Sequence, residues 1–104
     1  MASSKEYLNF ILEQLSQLDG VSYGAMMGEY ILYYRGKIIG GIYDDRLLVK
    51  PVSSAIGLLP GAHYELPYEG GKKMLLVDNV DDGAFLTKLF EAMYEELPAP
   101  PKKK

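Results

Sequence analysis

Cysteine is absent from this 104-residue sequence, which excludes disulfide frameworks, thiolate zinc sites and cysteine nucleophiles together. Histidine occurs once, at His63, too few for an imidazole-built metal site, because zinc takes three or four His, Cys or carboxylate ligands. No apolar run approaches the ~20 residues of a membrane-spanning helix, and residues 1–9 lack the basic-then-apolar order of a secretion signal. No single sign of charge dominates either. Eleven Lys and Arg stand against fourteen Asp and Glu, a net charge of −3, and the pI near 5.1 argues against direct nucleic-acid binding. Together these absences point to a cytoplasmic protein with no membrane partner.

The residues present are those of an ordinary globular chain, 48% apolar and 24% charged, enough for one core without covalent staples. A single domain is expected over residues 1–97, followed by an exposed Pro/Lys-rich tail over 98–104. Ser3 and Glu6 fit a capping box, and Leu8, Ile11, Leu12, Leu15 and Leu18 follow helical spacing up to Gly20, which predicts a helix over 4–19. Residues 30–34, 37–43 and 46–50 are short segments rich in β-branched and aromatic side chains. Arg35-Gly36 and Asp44-Asp45 separate them, each short enough for a tight hairpin, so three antiparallel strands are expected in a meander. A short helix should follow over 53–59, then two strands at 63–68 and 73–78. A last helix should start near Asp81 or Asp82 and carry Phe85, Leu89, Phe90, Met93 and Leu97 on its apolar stripe. The expected class is α+β: helix, three strands, helix, two strands, helix, with an antiparallel sheet in a two-layer arrangement.

Several motifs carry apparent chemistry. Gly20-Val21-Ser22-Tyr23-Gly24 matches the G-x-S-x-G nucleophile elbow, but that motif needs a strand before it and a helix after it, and here the order is reversed. Its base would have to be His63, which nothing in the sequence places nearby. Asp78-Asn79-Val80-Asp81-Asp82-Gly83 superficially matches a calcium loop, yet offers Val80 and Leu89 where oxygen ligands are required. Helix capping explains its acids better. Gly70-Gly71-Lys72 lacks the remaining residues of a phosphate loop and reads as a hairpin turn. No catalytic, cofactor-binding or metal-binding residues are therefore expected, and no cofactor.

The nine tyrosines are more informative. Tyr30, Tyr33, Tyr34 and Tyr43 fall within the meander, whose segments do not alternate apolar with polar as a sheet with one wet face should. Helices can cover one face, and a second copy of the chain is the simplest cover for the other. This reading makes Met26, Met27, Tyr30, Tyr33, Tyr34 and Tyr43 the candidate interaction surface of a homodimer, since methionine and tyrosine combine adaptability with large contact area. The alternative is a small-ligand binder with its pocket between helix 1 and the sheet.

The run Ala25-Met26-Met27-Gly28-Glu29, the Arg35-Gly36-Lys37 hairpin and the Asp45-Arg46-Leu47-Leu48-Val49-Lys50 strand, together with Tyr64-Glu65-Leu66-Pro67-Tyr68, resemble the N-terminal domain of the TfoX (Sxy) competence regulators. The likeness covers about residues 5–97. Gly24 stands where that family often has arginine, Met27 replaces its usual phenylalanine and Glu29 its second glycine. The resemblance implies an α+β fold of the secretion-chaperone-like kind. It also implies a stand-alone N-terminal-domain protein of bacteria that serves transcription-linked control of competence, without catalysis, acting as a homodimer or on a regulatory protein partner.

Overall fold

The computed structural model of the chain describes residues 4–67 and 70–97. Ser3, Tyr68, Glu69 and the 98–104 tail lie outside the described residues, and with them the Ser3 part of the expected capping box and the expected exposure of the tail.

The first helix, α1 (Lys5–Gln14), is capped by Ser4, whose hydroxyl accepts from the Tyr7 amide at 3.0 Å. It is shorter than the apolar spacing predicts. Turns carry the chain on to Gly20 while Leu15 and Leu18 stay buried, so the stripe outlasts the helix. Four strands follow: β1 (Val21–Met26), β2 (Glu29–Tyr34), β3 (Lys37–Ile42) and β4 (Leu47–Val49). Then come α2 (Ser53–Leu58), β5 (Tyr64–Glu65), β6 (Met74–Leu76) and α3 (Gly83–Tyr94). The Asp82 carboxylate caps α3 by accepting from the Phe85 amide at 3.1 Å, one of the two positions the acidic run predicts.

The strands form one antiparallel sheet in the order β1-β2-β3-β4-β6-β5. The α+β class is thus as expected, with one strand more than the sequence predicts. That strand is β1, built from Val21, Ser22, Tyr23, Gly24, Ala25 and Met26. Its small residues have weak strand preference, so the segment read as a connection. What makes it a strand is pairing along its whole length, from Val21 opposite Tyr34 to Met26 opposite Glu29.

Tight turns set the registers. Met27 and Gly28 (φ 52° and 86°), Arg35 and Gly36 (53° and 85°), and Asp44 and Asp45 (54° and 56°) each place two successive residues in the left-handed region. That is the signature of the two-residue turn whose twist matches antiparallel strands. Reciprocal main-chain hydrogen bonds between Tyr43 and Arg46 close the third of them.

All three helices supply one core on one side of the sheet. Leu8, Ile11 and Leu15 around α1, Ala55 of α2, and Leu86, Leu89, Phe90 and Met93 of α3 pack with Leu32, Tyr34, Ile39, Ile42, Leu47, Val49, Leu75 and Val77. The pairing of β2 with β3 shifts between Leu32 and Tyr33, where Ile39 is the extra residue of β3, and this lets both Ile39 and Ile42 enter the core. β3 and β4 approach each other so closely at Gly40 that a Cβ there would run into the Leu48 carbonyl oxygen and Val49 Cα. Only glycine fits. Polar contacts tie the layers at their rims: the Asp45 carboxylate accepts from the Ser4 amide at 2.9 Å. Lys37 donates to the Tyr94 carbonyl at 3.1 Å and sits 4.1 Å above that tyrosine's ring, fastening the end of α3 to the β2–β3 turn.

Candidate functional site

The six residues expected to form one contact surface lie in three different places. Tyr34 is buried in the helix-side core, with its ring 6.2 Å from Phe90 and 5.5 Å from Tyr94. Its area is already spent on the helices. Tyr43 is buried too, but on the opposite face of the sheet, in a small cluster with Leu48 and Met74. Met26, Met27, Tyr30 and Tyr33 all lie at the β1–β2 end of the sheet. Strand alternation places Met26 and Tyr33 on the face away from the helices and Tyr30 on the helix side. Met27, at the tip of the β1–β2 turn, is 95% exposed.

Sequence reasoning missed a fifth member of this group, Tyr23. It is exposed on β1 and packs edge-to-face on Tyr30, centroids 5.8 Å apart. Tyr33 reaches toward the same edge, where a Cβ on Gly24 would stand 3.7 Å from its ring. Aromatic and methionine side chains, exposed at Tyr23 and half-buried at Met26, Tyr30 and Tyr33, therefore flank β1 on both faces.

The main chain of β1 is the more unusual feature. β1 lies at the margin of the sheet, with no partner on its outer side among the described residues. The Arg35 amide donates to the Gly20 carbonyl at 2.8 Å, and hydrogen-bonded pairs alternate along an antiparallel ladder. Ser22, Gly24 and Met26 therefore bond inward to β2, while the amides and carbonyls of Val21, Tyr23 and Ala25 face outward. Natural edge strands are usually blunted by charge, proline, a bulge or shortness. This one runs six residues, Val21–Met26, without charge or proline, and its pairing with β2 has no register shift. At the other margin, β5 is only two residues long. It is tied down by Arg46, which contacts Glu65 at 2.7 Å and donates to the Leu66 carbonyl at 3.3 Å.

The two halves of the apparent serine-nucleophile motif do not meet. Ser22 is on β1 and His63 immediately precedes β5, at opposite margins of the six-stranded sheet. At ~4.8 Å per strand, the two margins stand roughly 24 Å apart, far beyond hydrogen-bond reach. Among the described residues, no three His, Cys, Asp or Glu side chains are grouped as a metal site would need. Nor, among the described residues, is any helix long and apolar enough to cross a membrane.

The space between α1 and the sheet, where the alternative reading puts a pocket, is filled by the fully buried Leu8, Ile11 and Leu32. Concave space lies elsewhere. A groove of about 380 Å³ runs between the end of α1 and the start of α3, past Gln14 and Gly83. A larger cleft of about 650 Å³ opens on the sheet face away from the helices.

Comparison with known proteins finds a relative 30% identical over 105 aligned positions, which take in all of this chain and 91% of the other. It is an uncharacterized 12.7 kDa protein in the trpE 5′ region of Spirochaeta aurantia. The chain belongs to that protein's family. No family model matches the chain, and no solved structure matches it. The match extends over the full length, so it takes in the helix-side core, the β1 margin and the far-face cleft of the family member described here.

Proposed function

We propose that this chain is a non-enzymatic regulatory and protein-interaction domain of the bacterial cytoplasm, and that it works as a homodimer joined along β1. The observation that carries this reading is the uncharged outer edge of β1, with the main-chain groups of Val21, Tyr23 and Ala25 turned away from β2. A second copy related by a two-fold axis can lay its own β1 antiparallel to the first, with Tyr23 opposite its counterpart. Each outward amide then finds a carbonyl, and the two sheets become one. Main-chain bonds supply the pairing, while Met26, Tyr23, Tyr30 and Tyr33 flank the seam with apolar area. The regulatory part of the proposal rests on the resemblance to the TfoX (Sxy) N-terminal domain, and on residues that offer contact area rather than reactive groups.

The test is mass in solution by light scattering after size exclusion, over a range of concentrations. A mass near twice 11.6 kDa is expected for the native chain. Ala25→Pro removes one outward amide and leaves the inward ladder intact, so it should give a monomer with an unchanged far-ultraviolet spectrum. A native chain that stays monomeric throughout, or an Ala25→Pro dimer as tight as the native one, overturns the proposal.

A further inference from the structure

On the sheet face away from the helices, residues from four separate stretches of chain enclose the cleft of about 650 Å³. This is within the ordinary size range of small-ligand sites. Tyr43 and Met74, both buried, contribute its apolar surface, with Ile38, Pro51 and Pro67 alongside. Tyr43 can lie against the sheet only because residue 41 is glycine: a Cβ there would stand 2.6 Å from Cε2 of its ring and 2.7 Å from its hydroxyl. That clash would force the ring away, so Gly41 shapes this wall.

The charge of the cleft is opposite to that of the molecule. Lys50, Lys72 and Lys73 line it, and among the described residues no Asp or Glu does, although the whole chain carries −3. None of the three lysines has an acidic partner among the described residues, unlike Arg46, which pairs with Glu65. Cations left unpaired around an apolar hollow, on stems that themselves cover apolar surface, suit a ligand with the complementary design.

We infer that this cleft is a binding site for a small amphipathic carboxylate, an apolar chain or ring ending in one anionic group. The apolar body lies on Tyr43, Ile38 and Met74, and the carboxylate is held by the ammonium groups of Lys50, Lys72 and Lys73. The size of the hollow favours a small molecule over a protein segment, and its charge selects an anion. The site is distinct from the β1 edge, from which β2 separates the cleft-lining strand β3, and does not depend on dimerisation.

The experiment titrates the full chain with decanoate, decanol and decyltrimethylammonium, following amide shifts by NMR. Decanoate should give saturable shifts centred on Ile38, Tyr43 and Met74, with decanol at least about tenfold weaker and the cation weaker still. The variant K50Q/K72Q/K73Q keeps the side-chain bulk and should lose about tenfold in decanoate affinity. K50E/K72E/K73E should lose more, and both should keep the native mass in solution. Equal affinity for decanoate and decanol, shifts centred elsewhere, no saturable shift, or a K50Q/K72Q/K73Q chain that binds as the native one does would each overturn the assignment.

Discussion

The two faces of the sheet are built to different standards. On one, nineteen buried residues, drawn from three helices, four strands and the turns beside them, make a continuous core among the described residues. On the other, among the described residues, only Tyr43, Leu48 and Met74 are buried together, with Leu76 packed beside them. Both faces are apolar along the same strands, as at Leu47, Leu48 and Val49, all fully buried although they alternate sides. What separates the faces is what covers them. The helix-covered face has its apolar area matched by partners in the chain, so it holds the fold together and has little left to offer. The other face keeps a hollow and three lysines with no acidic partner among the described residues, and a substitution there removes few contacts, which leaves it open to binding. The comparison extends to the margins of the sheet, where β5 is pinned by Arg46 and β1 is left with its outer main chain open.

The comparison breaks if the far face proves as costly to disturb as the helix side. Phe90→Ala deletes a fully buried ring that packs on Tyr34 and should cost about 4 kcal/mol, read from the shift in the urea midpoint. Since a domain this size has only about 5–15 kcal/mol in hand, that variant should stand near the limit of folding. Met74→Ala, in the small far-face cluster and 9% exposed, should cost about 2 kcal/mol, the low end for such a truncation, because its surroundings can collapse or hydrate. A Met74→Ala cost equal to that of Phe90→Ala would show that the two faces are one core.

How far this could be read in advance also differs between regions. The helices were legible because their apolar spacing and acidic or hydroxyl caps are local signals: Asp82 caps α3 where expected. Gly20 does not stop α1 as expected, because the helix already ends at Gln14 and turns carry the chain on to the glycine. Two of the three meander turns were legible for the same reason. β1 was not, because Ser22, Gly24 and Ala25 carry no strand preference and the strand exists only through its partner. The side on which each tyrosine lies was hidden as well. Tyr30, Tyr33 and Tyr34 share one apolar run, so no polar alternation tells which parity faces the helices, and nothing local marks Ile39 as the extra residue of β3 opposite Leu32 and Tyr33. The far-face cleft was invisible in principle to a reading of motifs, since Ile38, Lys50, Pro67 and Met74 come together only when four stretches of chain are folded side by side.

The smallest expected effect concerns the rim where the helix layer meets the turn after β3. Tyr7 packs partly against the helix-side core, and burial first, then the nearby Asp45 carboxylate, raises its pKa above the ordinary 10.0. Asp45 also accepts from the Ser4 amide, so α1 and the turn are held by a group that disfavours an ionised Tyr7. The folded chain therefore holds the phenolic proton at a pH where the unfolded chain has begun to lose it. With more protons bound in the folded state, stability must fall as pH rises there. The contribution is complete below pH 10 and is lost as pH climbs through the raised folded value. Tyr7→Phe keeps the ring and removes the proton. Urea midpoints of the two proteins measured from pH 7 to 11 should differ by a constant up to about pH 9, and the native chain should then lose ground to the variant. A constant difference across the whole range would mean that Tyr7 ionises as freely in the folded chain as in the unfolded one, and that this rim is as open to water as the far face.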